Sequence, residues 1–166
     1  MSETKNVTNF QKVQDFNSAF GVTRHSTHQK DIFTKDPKTV KLRYDLIAEE
    51  VLELKEAIDT HDFVEVRDAL ADILYVVYGA ADAFGIDVDK DFDIVHQSNM
   101  SKLCNSEQEA IDTVKDYQDK YDAGNSPYDS PYFEYDDTIQ KWIVKNKSTG
   151  KVLKNINYQK VDFSKE

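Results

Sequence analysis

The chain has 166 residues, 39% of them hydrophobic, which suffices for one domain with a core plus an appendage but not for two full domains. Its 31 acidic and 21 basic residues leave a formal net charge of −10, which excludes a broad electrostatic footprint for a nucleic-acid backbone. The single cysteine, Cys104, excludes both an intrachain disulfide framework and a cysteine-rich zinc site.

The first helix is expected from about Val7 to Phe20, where Phe10, Val13, Phe16 and Phe20 recur at helical intervals until Gly21 ends it. The stretch from Val22 to Pro37, with its polar run Arg24-His25-Ser26-Thr27-His28, reads as a connecting loop, and Pro37 suits a helix start. A second helix, about Lys38 to Asp59, carries Val40, Ile47, Val51, Leu54 and Ile58 as one apolar stripe. At about 100° per residue, Glu50 and Glu53 fall on one edge of that stripe and Glu49 slightly farther out.

The third helix, about Asp62 to Phe84, is expected to bury Phe63, Val66, Leu70, Ile73, Val77 and Phe84. On the same geometry Glu65, Asp68 and Asp72 share a line that continues through Val76, Gly79 and Ala83, small residues that leave room for a neighbouring helix. Gly85-Ile86-Asp87 turns into a fourth helix, about Asp89 to Leu103. Ser106 as N-cap, with Glu109 three residues on, predicts the capping box of a further helix that fades near Asp122.

From Ala123 to Asp137 the Gly, Ser, Pro, Tyr and Asp content reads as a linker or surface loop. Beyond it, residues 141–145 and 151–154 bracket Ser148-Thr149-Gly150 in the pattern of a β-hairpin. The expected architecture is therefore all-α: a four- to five-helix bundle over residues 1–122, with a loop and small hairpin over 123–166 as an appendage. No apolar run approaches the roughly 18 residues of a membrane span, and Met1 to Lys5 lack the apolar core of a signal peptide. A cytoplasmic protein with no membrane or nucleic-acid partner is expected.

Chemistry enters with Asp72, the only charge in the thirteen residues from Ala69 to Ala81. An unpaired carboxylate in so apolar a helix needs a cation or a strong donor as partner. Acids of the neighbouring helix, Glu49, Glu50 and Glu53, together with Glu65 and Asp68 on its own helix, can converge with it on a metal ion. A Glu-Glu-x-x-Glu run alone is often a solvated face, here with Lys55 and Arg43 as pairing cations; the joint pattern on two closely connected helices points to metal. Oxygen-only ligands favour Mg²⁺ or Mn²⁺ over zinc, and such ions suit phosphate chemistry. His25, His28 and His61 have no metal spacing, His96 stands alone, and Trp142 with Tyr128, Tyr132 and Tyr135 reads as loop and hairpin packing.

With these residues in view, the chain resembles the MazG-like branch of the all-α nucleotide pyrophosphohydrolases, relatives of dimeric dUTPases and of phosphoribosyl-ATP pyrophosphatase. The resemblance is carried by Phe16-Asn17-Ser18-Ala19-Phe20-Gly21, by Glu49-Glu50-Val51-Leu52-Glu53 and by Asp68 to Gly79. It continues in His96-Gln97-Ser98-Asn99-Met100-Ser101-Lys102 and in the tail Gly150-Lys151-Val152-Leu153-Lys154. It implies a homodimer that hydrolyses a (deoxy)nucleoside triphosphate, dUTP among the candidates, to monophosphate and pyrophosphate, with Mg²⁺ held by Glu50, Glu53 and Asp72. The family's third-helix motif, Glu-x-x-Asp, would place Glu at position 69, where this chain has Ala69; Asp68 or Glu65 then stands as replacement. Glu49 is the candidate base for the attacking water. Asn99 and Lys102, three apart on a helix, are expected at the sugar or base and at a phosphate. The alternatives are a nucleotide-binding regulatory module without turnover, or phosphoribosyl-ATP hydrolysis.

Overall fold

In the computed structural model, which describes residues 7–163, most of the helices begin where a side chain accepts from the free amides of the first turn. Thr8 and Gln11 form a reciprocal capping box at the start of α1 (Asn9–Ala19). The expected loop contains one turn of helix, α2 (Ile32–Lys35). The Asp36 carboxylate then accepts from the Thr39 amide, and with Pro37 in the first turn it starts α3 (Pro37–Asp59). The Asp62 carboxylate accepts from Val64 and Glu65 amides and starts α4 (Phe63–Phe84). After Gly85 come α5 (Val88–Met100) and α6 (Glu107–Asp122), then the antiparallel strands β1 (Pro131–Asp136) and β2 (Lys141–Asn146). The fold is all-α with a small C-terminal hairpin. No single helix among the described residues is long and apolar enough to cross a membrane.

The chain divides into two compact units, Met1–Lys90 and Asp91–Glu166. In the first, α3 and α4 form an antiparallel helical hairpin, and α1 packs on α4. Phe10, Val13, Ile32, Ala57, Ala69, Ala81 and Ala83 are buried there. Gly85 closes α4 at φ 68°, and a Cβ on it would stand 2.0 Å from the Thr27 carbonyl oxygen, so only glycine fits.

The apolar faces drawn from periodicity are only partly covered. Val66, Ile73, Val77 and Phe84 of α4 are half-buried, but Phe63 and Leu70 are exposed, as are Val51 and Ile58 of α3 and Phe16 and Phe20 at the end of α1. The physical reason is that this unit has too few helices to cover both sides of the α3–α4 hairpin within one chain.

In the second unit, Cys104, Ala110, Val144 and Leu153 make a core on which Tyr117, Tyr128, Phe133 and Trp142 pack. The Ser106 side chain caps α6 as expected, but the Glu109 carboxylate reaches the Asn105 amide, at 2.6 Å, instead of completing the box. The hairpin is present with different strands. β1 comes from the segment read as linker, with Phe133 opposite Val144 and Asp136 opposite Lys141. Of the second expected strand only Val152 pairs, in an isolated bridge with Lys145. Pro131 and the aspartates hid a strand whose aromatic rings pack against Trp142 across the sheet, Phe133 edge-on at 5.5 Å and Tyr135 tilted at 4.8 Å. Because α6 packs on this hairpin, the break between compact units falls after Lys90, whereas the sequence suggested one after Asp122.

Candidate active site

The α3–α4 hairpin sets the level of each acid. Glu50 precedes His61, in the turn, by eleven residues and Asp72 follows it by eleven, so the two stand opposite each other on antiparallel helices. Glu50 is the enclosed member: its Oε2 is buried and has no hydrogen-bond partner among the described residues. Its carboxyl is pushed above the ordinary range, first by loss of water and then by the negative charges of Glu53, Asp72, Glu49 and Asp68. No cation is among the charges acting on it.

Asp72 itself is exposed, contrary to the burial that its apolar run suggested, because Leu70, Leu74 and Tyr75 around it are also exposed in the single chain. Glu49, Glu53 and Asp68 are exposed as well. Asp68 acts electrically on Glu50, whereas Glu65 lines a surface cavity of about 340 Å³ with Glu53, Glu56 and Asp62 near the helix turn. Among the described residues no three Asp, Glu, His or Cys side chains are gathered closely enough to hold a metal ion. At the family's missing glutamate position, Ala69 is 4% exposed, so a methyl group closes that part of the helix seam.

Asn99 and Lys102 lie in the second unit and meet each other, Lys102 Nζ donating to Asn99 Oδ1 at 2.8 Å. In the first unit, α1 and α4 leave a cleft of about 170 Å³ lined by Asn9, Lys12, Val13, Ala71, Leu74, Tyr75 and Tyr78. Phe16 and Phe20 pack against each other at a tilt, 4.4 Å between ring centres, with Tyr75 edge-on to Phe16.

The structure also shows a charged cluster that periodicity did not single out. Asp82, one residue past the apolar run, has a side chain with no exposure. It accepts from Arg24 Nε at 3.1 Å, Asn17 Nδ2 at 2.8 Å and Gln14 Nε2 at 3.2 Å, tying α1 and the following loop to α4. The signal available in the sequence was the acid itself on the small-residue face between Ala81 and Ala83.

Residues 13–99, just over half of the chain, match the family described as phosphoribosyl-ATP pyrophosphohydrolase. The chain belongs to that family. This phosphoribosyl-ATP pyrophosphohydrolase match runs from α1 through Asn99 and takes in Glu50 and the four acids around it, and it supports nucleotide pyrophosphohydrolase function in general. The chain is also similar to an uncharacterized protein of Acanthamoeba polyphaga mimivirus, at 27% identity, with 98% of this chain and 97% of the relative covered.

Proposed function

We propose that the chain is a divalent-cation-dependent nucleoside triphosphate diphosphatase, releasing monophosphate and pyrophosphate from a (deoxy)nucleotide, dUTP being a first candidate, as a step of nucleotide-pool sanitation. The observation that carries this reading is Glu50: a buried carboxylate oxygen without a partner, among four further carboxylates and without a cation. A hard divalent cation is the partner that such oxygen donors take, and holding it requires the exposed Glu53, Asp68 and Asp72 side chains to swing in toward Glu50. Glu50, Glu53, Asp68 and Asp72 would hold Mg²⁺, with Mn²⁺ as a substitute.

When bound, the ion neutralises phosphate oxygens and lowers the pKa of water. Glu49, exposed beside Glu50, takes the proton of the water that attacks the α-phosphorus. Asn99 and Lys102, of the second unit, stand as the candidate contacts for sugar or base and for a phosphate. The exposed Val51, Leu52, Ile58, Phe63, Val64 and Leu70 fit a homodimer in which a second copy covers this face of the helical hairpin.

The family's description keeps phosphoribosyl-ATP as a second substrate candidate. The test is pyrophosphate release with millimolar Mg²⁺ across NTPs, dNTPs, dUTP and phosphoribosyl-ATP, repeated with chelator. Release from one or a few substrates, abolished by chelator, supports the reading. Mg²⁺-dependent binding without release turns it into a nucleotide-binding module.

A further inference from the structure

Arg43 sits on α3 seven residues before Glu50, two turns away and on the same face, about 10 Å along the axis. It lies against Gly79 of α4: a Cβ built on that glycine would stand 3.1 Å from Arg43 Nη1. Gly79 thus keeps clear the space in which the guanidinium rests, although a mid-helix glycine is otherwise a poor choice.

Among the described residues the half-buried guanidinium has no carboxylate within ion-pair distance, and its buried Nε has no acceptor. Asp82 exerts an attraction on it from nearby, but both oxygens of that carboxylate are already taken by Arg24, Asn17 and Gln14. A purely structural arginine would be expected to spend its donors on such an acceptor. Arg43 keeps its planar fork of N–H groups unspent, the geometry that suits a phosphate.

We propose that Arg43 is an oxyanion site for the substrate's β,γ-diphosphate, set two helical turns from the carboxylates that hold the cation. The assignment rests on the cation-dependent reading of the Glu50 cluster and adds the anion-binding half of that site. Seven residues of helix set the two side chains' starting points about 10 Å apart along α3, so one extended anion can address both ends. Charge is then matched at both ends: acids face the ion and a guanidinium faces the phosphate.

The test is calorimetric titration of the full chain with sodium pyrophosphate in millimolar Mg²⁺, and with Mg²⁺ alone, for the natural protein, Arg43→Gln and Arg43→Lys. Thermal unfolding serves as the fold control. The expected result is that Arg43→Gln weakens pyrophosphate binding by roughly tenfold or more and that Arg43→Lys retains part of it, while Mg²⁺ binding is unchanged. If Arg43→Gln does not fold, the partial loss in Arg43→Lys decides. Equal pyrophosphate affinity in all three proteins, or no pyrophosphate binding by the natural protein, overturns the proposal. Because the titration needs no turnover, it is separate from the hydrolysis test: a silent nucleotide panel with pyrophosphate binding lost in Arg43→Gln would leave the oxyanion site standing and overturn only the enzyme.

Discussion

Arg43 and Gly79 are fitted to each other across the α3–α4 seam, the arginine's Nη1 occupying ground that a side chain at position 79 would contest at 3.1 Å. Gly79→Ala adds helix propensity of about 1 kcal/mol and asks only the end of a flexible side chain to move a few tenths of an ångström. The melting temperature should therefore stay level or rise, while KM for the nucleotide increases several-fold because Arg43 is displaced. Paired thermal melts and steady-state kinetics check both halves; a lower melting temperature with unchanged KM would contradict them.

Glu50 gives a pH dependence of defined sign. Its folded-state pKa lies above the ordinary value of 4.5, so the folded chain binds the proton more tightly than the unfolded chain does. Without divalent cation, stability should fall as pH rises from about 4.5 through the raised value, and ionised Glu50 is a cost at pH 7. Glu50→Gln should then melt higher than the natural protein at pH 7 in chelator, with the difference vanishing near pH 4. In millimolar Mg²⁺ the order should reverse, since the natural chain gains the ion and the variant does not.

The Asp82 cluster should behave as structure. Removing the carboxylate in Asp82→Ala leaves Arg24, Asn17 and Gln14 without their shared acceptor, at a cost of about 3 kcal/mol. Arg24→Ala should cost less, because the Arg24 side chain is 37% exposed. Denaturant midpoints should rank the natural protein first, Arg24→Ala second and Asp82→Ala last.

Ala69→Glu restores the family's third-helix acid at a position that is 4% exposed. The added bulk alone costs about 1–3 kcal/mol, and a fifth carboxylate facing Glu50 adds repulsion. The variant should be less stable than the natural protein in chelator and recover a larger share of its stability on Mg²⁺ addition. Melts with and without Mg²⁺ measure this directly.

Catalysis through Glu49 predicts that Glu49→Gln lowers kcat by 100-fold or more, as expected of a lost general base, and leaves KM within about threefold. A variant with full kcat would remove Glu49 from the reaction.

Local chemistry along the chain was sufficient for the longer helices, though not for the single turn α2: the Asp36-Pro37, Asp62 and Ser106 starts, the Gly85 stop and the acids of α3 and α4 are all signalled within a few residues. Those signals act over one or two turns, and so they are legible in the sequence. Which acid would be enclosed was not. Periodicity pointed to Asp72, yet burial depends on what stands across the seam, and only the pairing of α3 with α4 shut Glu50 in and left Asp72 open. The same holds for Asp82, whose three partners lie on α1 and the loop after it, 58 to 68 residues away. It holds too for Pro131–Asp136, a strand whose aromatic rings pack against Trp142 on the strand paired with it. Caps and turns are local in sequence; enclosure of a charge is a property of surfaces that meet only in the folded chain.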